Sequence, residues 1–226
     1  NKNWDGIKYL VDLKKKGDSR FADFELVDQD NTALCLACEA GNYDLVEYLL
    51  GTTDDGEFVF PLTNPAAKNN TPLVNACIGG HLHIVRKLLE QDVSGVYMYK
   101  GIDPSAQDYE SVVSACRYGH VDIVEFLLEV KGGKYVLLGM NGINFTRVLS
   151  TAISWDRMEM VLFLLEMTNG SYVLPGMNGV DFTRVVSTAI ETKQRVLVEW
   201  LLRMNEGGEY VLPGMNSVDL TLVLST

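Results

Sequence analysis

Four cysteines and three histidines are the rarest reactive side chains in this 226-residue chain. Cys38, Cys77 and Cys116 recur at a spacing of 39 residues, each directly after an alanine. A recurring small-residue pair of this kind belongs where helices approach closely. Stacked elements hold such cysteines too far apart for reliable disulfide geometry. Reduced and buried, each acts as a small hydrophobe. Cys35 and Cys38 form one Cys-x-x-Cys, without the second pair or histidine cluster that a zinc site needs. His81 and His83 are two residues apart and point to different faces of a helix, which is poor metal-ligand spacing. No Ser-His-Asp order, phosphate-cradling glycine loop or catalytic carboxylate pair stands out. Asp44, Glu47, Asp122 and Glu125 are expected on a solvated helix face. The residues therefore predict no catalytic group, no metal site and no cofactor.

The same spacing organises the whole chain. Leu49-Leu50 returns as Leu88-Leu89, Leu127-Leu128, Leu164-Leu165 and Leu201-Leu202, at intervals of 39, 39, 37 and 37 residues. An alanine twelve residues before each pair keeps step: Ala37, Ala76, Ala115, Ala152 and Ala189. Each unit reads as two short helices, the second with an apolar face such as Ile84, Val85, Leu88 and Leu89. Gly41, Gly80 and Gly119 separate the helices of the first three units, where a left-handed turn suits glycine.

Thr71-Pro72-Leu73, Ala76-Cys77, Gly80-His81, Ile84-Val85 and Leu88-Leu89 together resemble an ankyrin repeat. The resemblance extends over nearly the whole chain and implies an all-α fold: an ankyrin-repeat α-solenoid of stacked helix-turn-helix units with long, partly extended connecting loops. The expected domain is single, with helix pairs over about 31–50, 71–90, 110–129, 147–166 and 184–203. Segments 1–20 and 220–226 read as partial units, which points to a fragment of a longer array. The fourth and fifth units lose the Gly-His step and carry Asp156-Arg157 and Lys193-Gln194 instead. Asp tolerates a left-handed turn and Lys tolerates it less, so the sequence leaves the fifth unit's turn open while keeping its helix pair.

The units exceed the roughly 33 residues of the usual ankyrin repeat, and the excess lies in the connectors. Tyr135-Val136-Leu137-Leu138-Gly139-Met140 recurs around Tyr172 and Met177 and again around Tyr210 and Met215. The connectors either project as fingers with apolar tips or pack their aromatic and Val-Leu residues on neighbouring helices. Packing is expected of Tyr135, Tyr172 and Tyr210, which repeat. Met140 and Met177 are expected to offer adaptable contacts to a partner. The long connectors and uneven repeats also resemble ankyrin proteins of intracellular parasites and the effectors they inject, which would place the chain in a host cytosol.

Net charge is −11. Residues 1–20 hold six basic against three acidic side chains, leaving −14 on the remainder. Such a surface repels phosphate backbones, so no nucleic-acid partner is expected. No run of about 20 apolar residues predicts a membrane span. The resemblance implies a non-enzymatic protein-interaction module or scaffold, monomeric and cytoplasmic, or the recognition arm of a larger multidomain protein. Partners of ankyrin proteins commonly meet the concave inner-helix face and the inter-repeat loops. Carried onto this chain, the contact positions are Glu39, Ile78, Arg117, Tyr118, Ser154, Trp155, Glu191 and Thr192. Tyr118 and Trp155 occupy one slot in adjacent units and should be neighbours. Trp155 serves either as an anchor or as local packing that replaces the missing Gly-His step. Trp200 shares its slot with Tyr48, Phe126 and Phe163 and is expected in the core.

Overall fold

The computed structural model describes residues 9, 12, 13, 16, 17, 31–52, 59–60, 62–168, 171–204, 208–219 and 221. The expected partial unit over 1–20 lies outside them but for five residues, and that over 220–226 lies outside them but for Thr221. Five helix pairs occur among the described residues: α1 Thr32–Glu39 with α2 Tyr43–Leu49, α3 Ala67–Gly79 with α4 Leu82–Leu88, and α5 Ala106–Tyr118 with α6 Val121–Leu127. They continue with α7 Phe145–Ser154 and α8 Met158–Leu164, then α9 Phe182–Glu191 and α10 Arg195–Leu201. Two compact units divide the chain, residues 1–103 with the first two pairs and residues 104–226 with the last three.

Within the first unit α1 packs on α3; within the second, α5 packs on α7 and α7 on α9. The repeated alanines explain how the first helices come close. Ala37, Ala76, Ala115, Ala152 and Ala189 are all buried. The second helices fold back and bury their leucines, with Leu49, Leu88, Leu127, Leu164 and Leu201 fully enclosed. Each such burial stabilises by roughly 1.5–3 kcal/mol. The four cysteines are buried and form no disulfide. Burial raises the thiol pKa of Cys38, Cys77 and Cys116 far above the usual range, so these side chains stay neutral.

The inter-helix turns are left-handed throughout, with φ 71° at Gly41, 75° at Gly80 and 82° at Gly119. Asp156 (φ 54°) and Lys193 (φ 60°) adopt the same conformation. The fifth turn therefore keeps the pattern that the sequence put in doubt. Its backbone strain is of order 1–2 kcal/mol for a non-glycine residue, and the hydrogen bond of Gln194 to the Ile153 carbonyl offsets part of it. Lys68-Asn69-Asn70 and Gln107-Asp108-Tyr109 are also left-handed, so the right-handed part of α3 begins at Thr71. That places Pro72 in a first helical turn, where its missing N–H costs nothing.

The connectors are partly extended, as expected. Val130–Lys131 (β1) pairs antiparallel with Lys134–Tyr135 (β2), and Met167–Thr168 (β3) with Ser171–Tyr172 (β4). Each Tyr-bearing hairpin runs into a one-turn 3-10 helix, Met140–Gly142 and Met177–Gly179, and a third such turn forms at Met215–Ser217. The tyrosine hydroxyls tie successive connectors together. Tyr135 Oη donates to the Pro175 carbonyl at 2.8 Å, and Tyr172 Oη to that of Pro213 at 2.9 Å. Leu137, Leu174 and Leu212 are buried beside them. The alternation leaves Leu138, Val173 and Val211 exposed.

Candidate functional site

The residue after each left-handed turn has one job in three units. The last carbonyls of a helix have no intrahelical partner. His81 Nε2 lies 3.0 Å from the Glu39 carbonyl oxygen, at the end of the preceding first helix. Arg157 Nε donates to the Arg117 carbonyl at 3.0 Å, and Gln194 Nε2 donates to that of Ile153. Histidine, arginine and glutamine thus supply the same bridge. It replaces the Gly-His contact that the fourth and fifth units lack, so Trp155 is not needed for that role. The sequence reading missed Arg157 and Gln194, although both fall in the slot of His81.

The bridges need space. A Cβ on Gly79 would lie 2.5 Å from the His81 ring and 2.6 Å from the Glu39 carbonyl oxygen, and one on Gly41 would lie 2.4 Å from the same ring. Both glycines exist to admit the imidazole. In the fourth unit the Arg157 stem lies on Gly119, where a Cβ would stand 3.2 Å from Cδ.

Each bridge pins a backbone next to a predicted contact residue. Glu39 and Ile78 belong to the first unit, Glu39 exposed and Ile78 half-buried. Arg117, Tyr118, Ser154, Trp155, Glu191 and Thr192 belong to the second. Tyr118 is 45% exposed and Trp155 51%. Their rings are near-parallel, with centroids 6.5 Å apart and planes at 29°, and Tyr118 also lies 6.4 Å from the His120 ring. Arg157 holds the Arg117 carbonyl one residue from Tyr118, which sets the spacing of the pair.

Arg117 is less available than its position implied. Its guanidinium lies 3.6 Å from Glu110, which also pairs with Arg147; Arg147 in turn reaches Asp108 at 3.2 Å. Thr192 Oγ1 donates back to the Thr188 carbonyl at 2.8 Å. Ser154, Glu191 and Thr192 are exposed. Two sequence expectations are corrected. Met140 and Met177 are 0% and 1% exposed, because the 3-10 turns point them inward, and they are closed to a partner. Trp200 is half-buried rather than core, as are Tyr48, Phe126 and Phe163 in its slot.

Two open grooves flank the turn at Asp156. A trough of about 570 Å³ is lined by Ser154, Asp156, Met158, Lys193, Val196 and Leu197 among others. A smaller one of about 260 Å³ is lined by Tyr118, Asp156, Arg157, Met158 and Glu159 among others. Val196, at 74% exposure, stands uncovered at the rim of the larger groove. Among the described residues no group of three or more His, Cys, Asp or Glu side chains is placed to hold a metal ion. No helix there is long and apolar enough to cross a membrane. The surface offers aromatic faces and a trough that mixes apolar with charged and polar side chains, which is equipment for contact.

Comparison with known families agrees with this geometry. A family model described as ankyrin repeats, in three copies, matches residues 53–137, and one described as ankyrin repeat matches residues 29–55. Residues 138–226 lie outside both matches, on the side where the Gly-His step is lost. No curated protein matches the chain.

Proposed function

Residues 29–137 of this chain are ankyrin repeats, and from that premise we propose that the chain is a scaffold binding a partner protein through the turn-side surface of its third to fifth helix pairs. Ankyrin repeats are in general protein-interaction modules and typically non-catalytic. The observation that carries the specific reading is the Tyr118–Trp155 pair. Two large aromatic side chains stand about half exposed, in register, on backbone pinned by Arg157. Aromatic anchors of this kind dominate binding energy, at roughly 2 kcal/mol or more each when truncated. Rigid presentation also lowers the ordering cost of association. Ser154, Glu191 and Thr192 form the polar surround. The connector residues Leu138, Val173 and Val211 supply a second exposed row for the same partner.

The test is affinity capture with the intact chain, with Tyr118→Ala and Trp155→Ala, and with Val211→Ser as a connector control. Circular dichroism verifies that each variant is folded. The two alanine variants should each lose the captured partner, and Val211→Ser should weaken capture less. Unchanged capture by a folded double variant would show that this surface is not the binding site.

A further inference from the structure

The charges on this surface specify what it takes. Three arginines lie in or beside the two grooves, and each is already engaged. Arg117 faces Glu110 and Arg195 Nε bonds Glu199 at 2.7 Å, whereas Arg157 is bonded to the uncharged Arg117 carbonyl and keeps its positive charge. Among the described residues, no ion pair or side-chain hydrogen bond engages Asp156, Glu159 or Glu191. Lys193 is the one similarly unengaged cation beside them. Asp156, Glu159 and Glu191 thus stand against Arg157 and Lys193, and the charge left over for a partner is acidic by one, in a chain of net charge −11.

The acid sits beside the aromatic pair. Asp156 follows Trp155 directly and lines both grooves. Its left-handed backbone is fixed by hydrogen bonds on either side, Asp156 N to the Ile153 carbonyl at 2.9 Å and Arg157 N to the Ala152 carbonyl at 2.8 Å. Asp156 shares the smaller groove with Tyr118, whose ring lies 6.5 Å from that of Trp155, and a carboxylate beside exposed aromatic faces attracts a guanidinium, which stacks on a ring and bonds a carboxylate. The larger groove, with Met158, Val196 and Leu197 in its walls, offers apolar surface on the other side of Asp156. Nucleic acid would meet the same carboxylates with its phosphates, and an acidic peptide would be repelled.

We infer that the partner presents a basic segment, an arginine beside an aliphatic residue, with the cation over Trp155 and against Asp156 and the aliphatic side chain in the trough of Met158 and Val196. The inference rests on the reading of this surface as the binding site. It is tested by selecting a random twelve-residue peptide library on the full chain, then measuring synthetic copies of the selected peptides by fluorescence anisotropy. Arginine next to Leu, Ile, Val or Met should be enriched. Its replacement by Gln should weaken binding about ten-fold. Asp156→Asn keeps a residue that favours the left-handed turn, so the fold survives, and it should weaken binding about three- to ten-fold while flattening the salt dependence. A library left unenriched, a selection of acidic or uncharged peptides, or indifference to Asp156→Asn overturns the inference. The two readings fail differently. Peptides that need Trp155 but carry no cation refute the basic-segment inference alone. Cationic peptides that bind Trp155→Ala as tightly as the parent refute the site itself.

Discussion

Replacing Arg157 with Met removes the guanidinium while keeping most of the stem that lies on Gly119. The change isolates one hydrogen bond, from Nε to the Arg117 carbonyl at 3.0 Å. Hydrogen bonds to charged groups contribute roughly 1.5–3 kcal/mol when buried. This one is half-buried, and water replaces part of it when it is lost, so the expected cost is about 1–2 kcal/mol. For a chain of this size that corresponds to a fall in melting temperature of roughly 2–8 °C. Urea unfolding followed by far-ultraviolet circular dichroism measures it. Arg195→Met is the control, because the Arg195–Glu199 pair is mostly in water and worth well under about 1 kcal/mol. The bridge also holds the Tyr118–Trp155 spacing, so Arg157→Met should additionally weaken partner capture although it leaves both rings in place. If Arg157→Met unfolds at the same urea concentration as Arg195→Met, the bridge does not stabilise the fourth unit and the reasoning from helix-end carbonyls fails.

Three other outcomes follow from the same geometry. Gly79→Ala removes a helix glycine, a change worth about 1 kcal/mol in favour of folding, yet it should destabilise by about 1–3 kcal/mol in urea unfolding, because the new methyl meets His81 and the Glu39 carbonyl at 2.5–2.6 Å. Tyr172→Phe should cost about 1 kcal/mol by the same assay through loss of the bond to Pro213, and Tyr135→Phe a similar amount through Pro175. Stability should fall above pH 9, measured by urea midpoints between pH 7 and 10.5. The thiols of Cys38, Cys77 and Cys116 have pKa values raised by burial from 9.0, so their contribution is complete below pH 9 and is lost as the unfolded thiols ionise, each by up to about 1.4 kcal/mol per pH unit; Cys77→Ala should flatten the curve.

What the sequence revealed depended on whether a residue repeats for packing or for a bond. The alanines and paired leucines repeat because every unit buries the same contacts, so their register alone located all five helix pairs. The bridging donor repeats in function but not in identity. His81, Arg157 and Gln194 share a slot but not a residue type, and only their hydrogen bonds show that each reaches a helix-end carbonyl. The methionines failed for the opposite reason. Met140 and Met177 looked like adaptable contacts, but the turn after each glycine rotates them inward. The structure instead buries Leu137 and Leu174 and leaves Leu138 and Val173 outside.

In the fourth helix pair the loss of the Gly-His step and the gain of Trp155 are connected. In the second helix pair the slot before the turn is Gly79, and it must stay glycine because His81 turns back over it to reach Glu39. A donor with a longer reach frees that slot. Arg157 makes its bridge with its stem on Gly119 of the preceding turn, and its own pair carries Trp155 where the second pair has Gly79. Gln194 likewise permits Thr192. In the fourth and fifth pairs the changed donor goes together with a large or polar side chain at the position that His81 keeps empty in the second pair, whereas the third pair carries Tyr118 there beside its own Gly119-His120 step. The double variant Trp155→Gly with Arg157→His reverses that exchange. It should fold with a stability within about 1 kcal/mol of the parent, the histidine restoring one hydrogen bond, while losing partner capture to the same extent as Trp155→Ala. If Arg157→His alone is as stable as the double variant, Trp155 and the histidine do not compete for space and the proposed exchange is wrong.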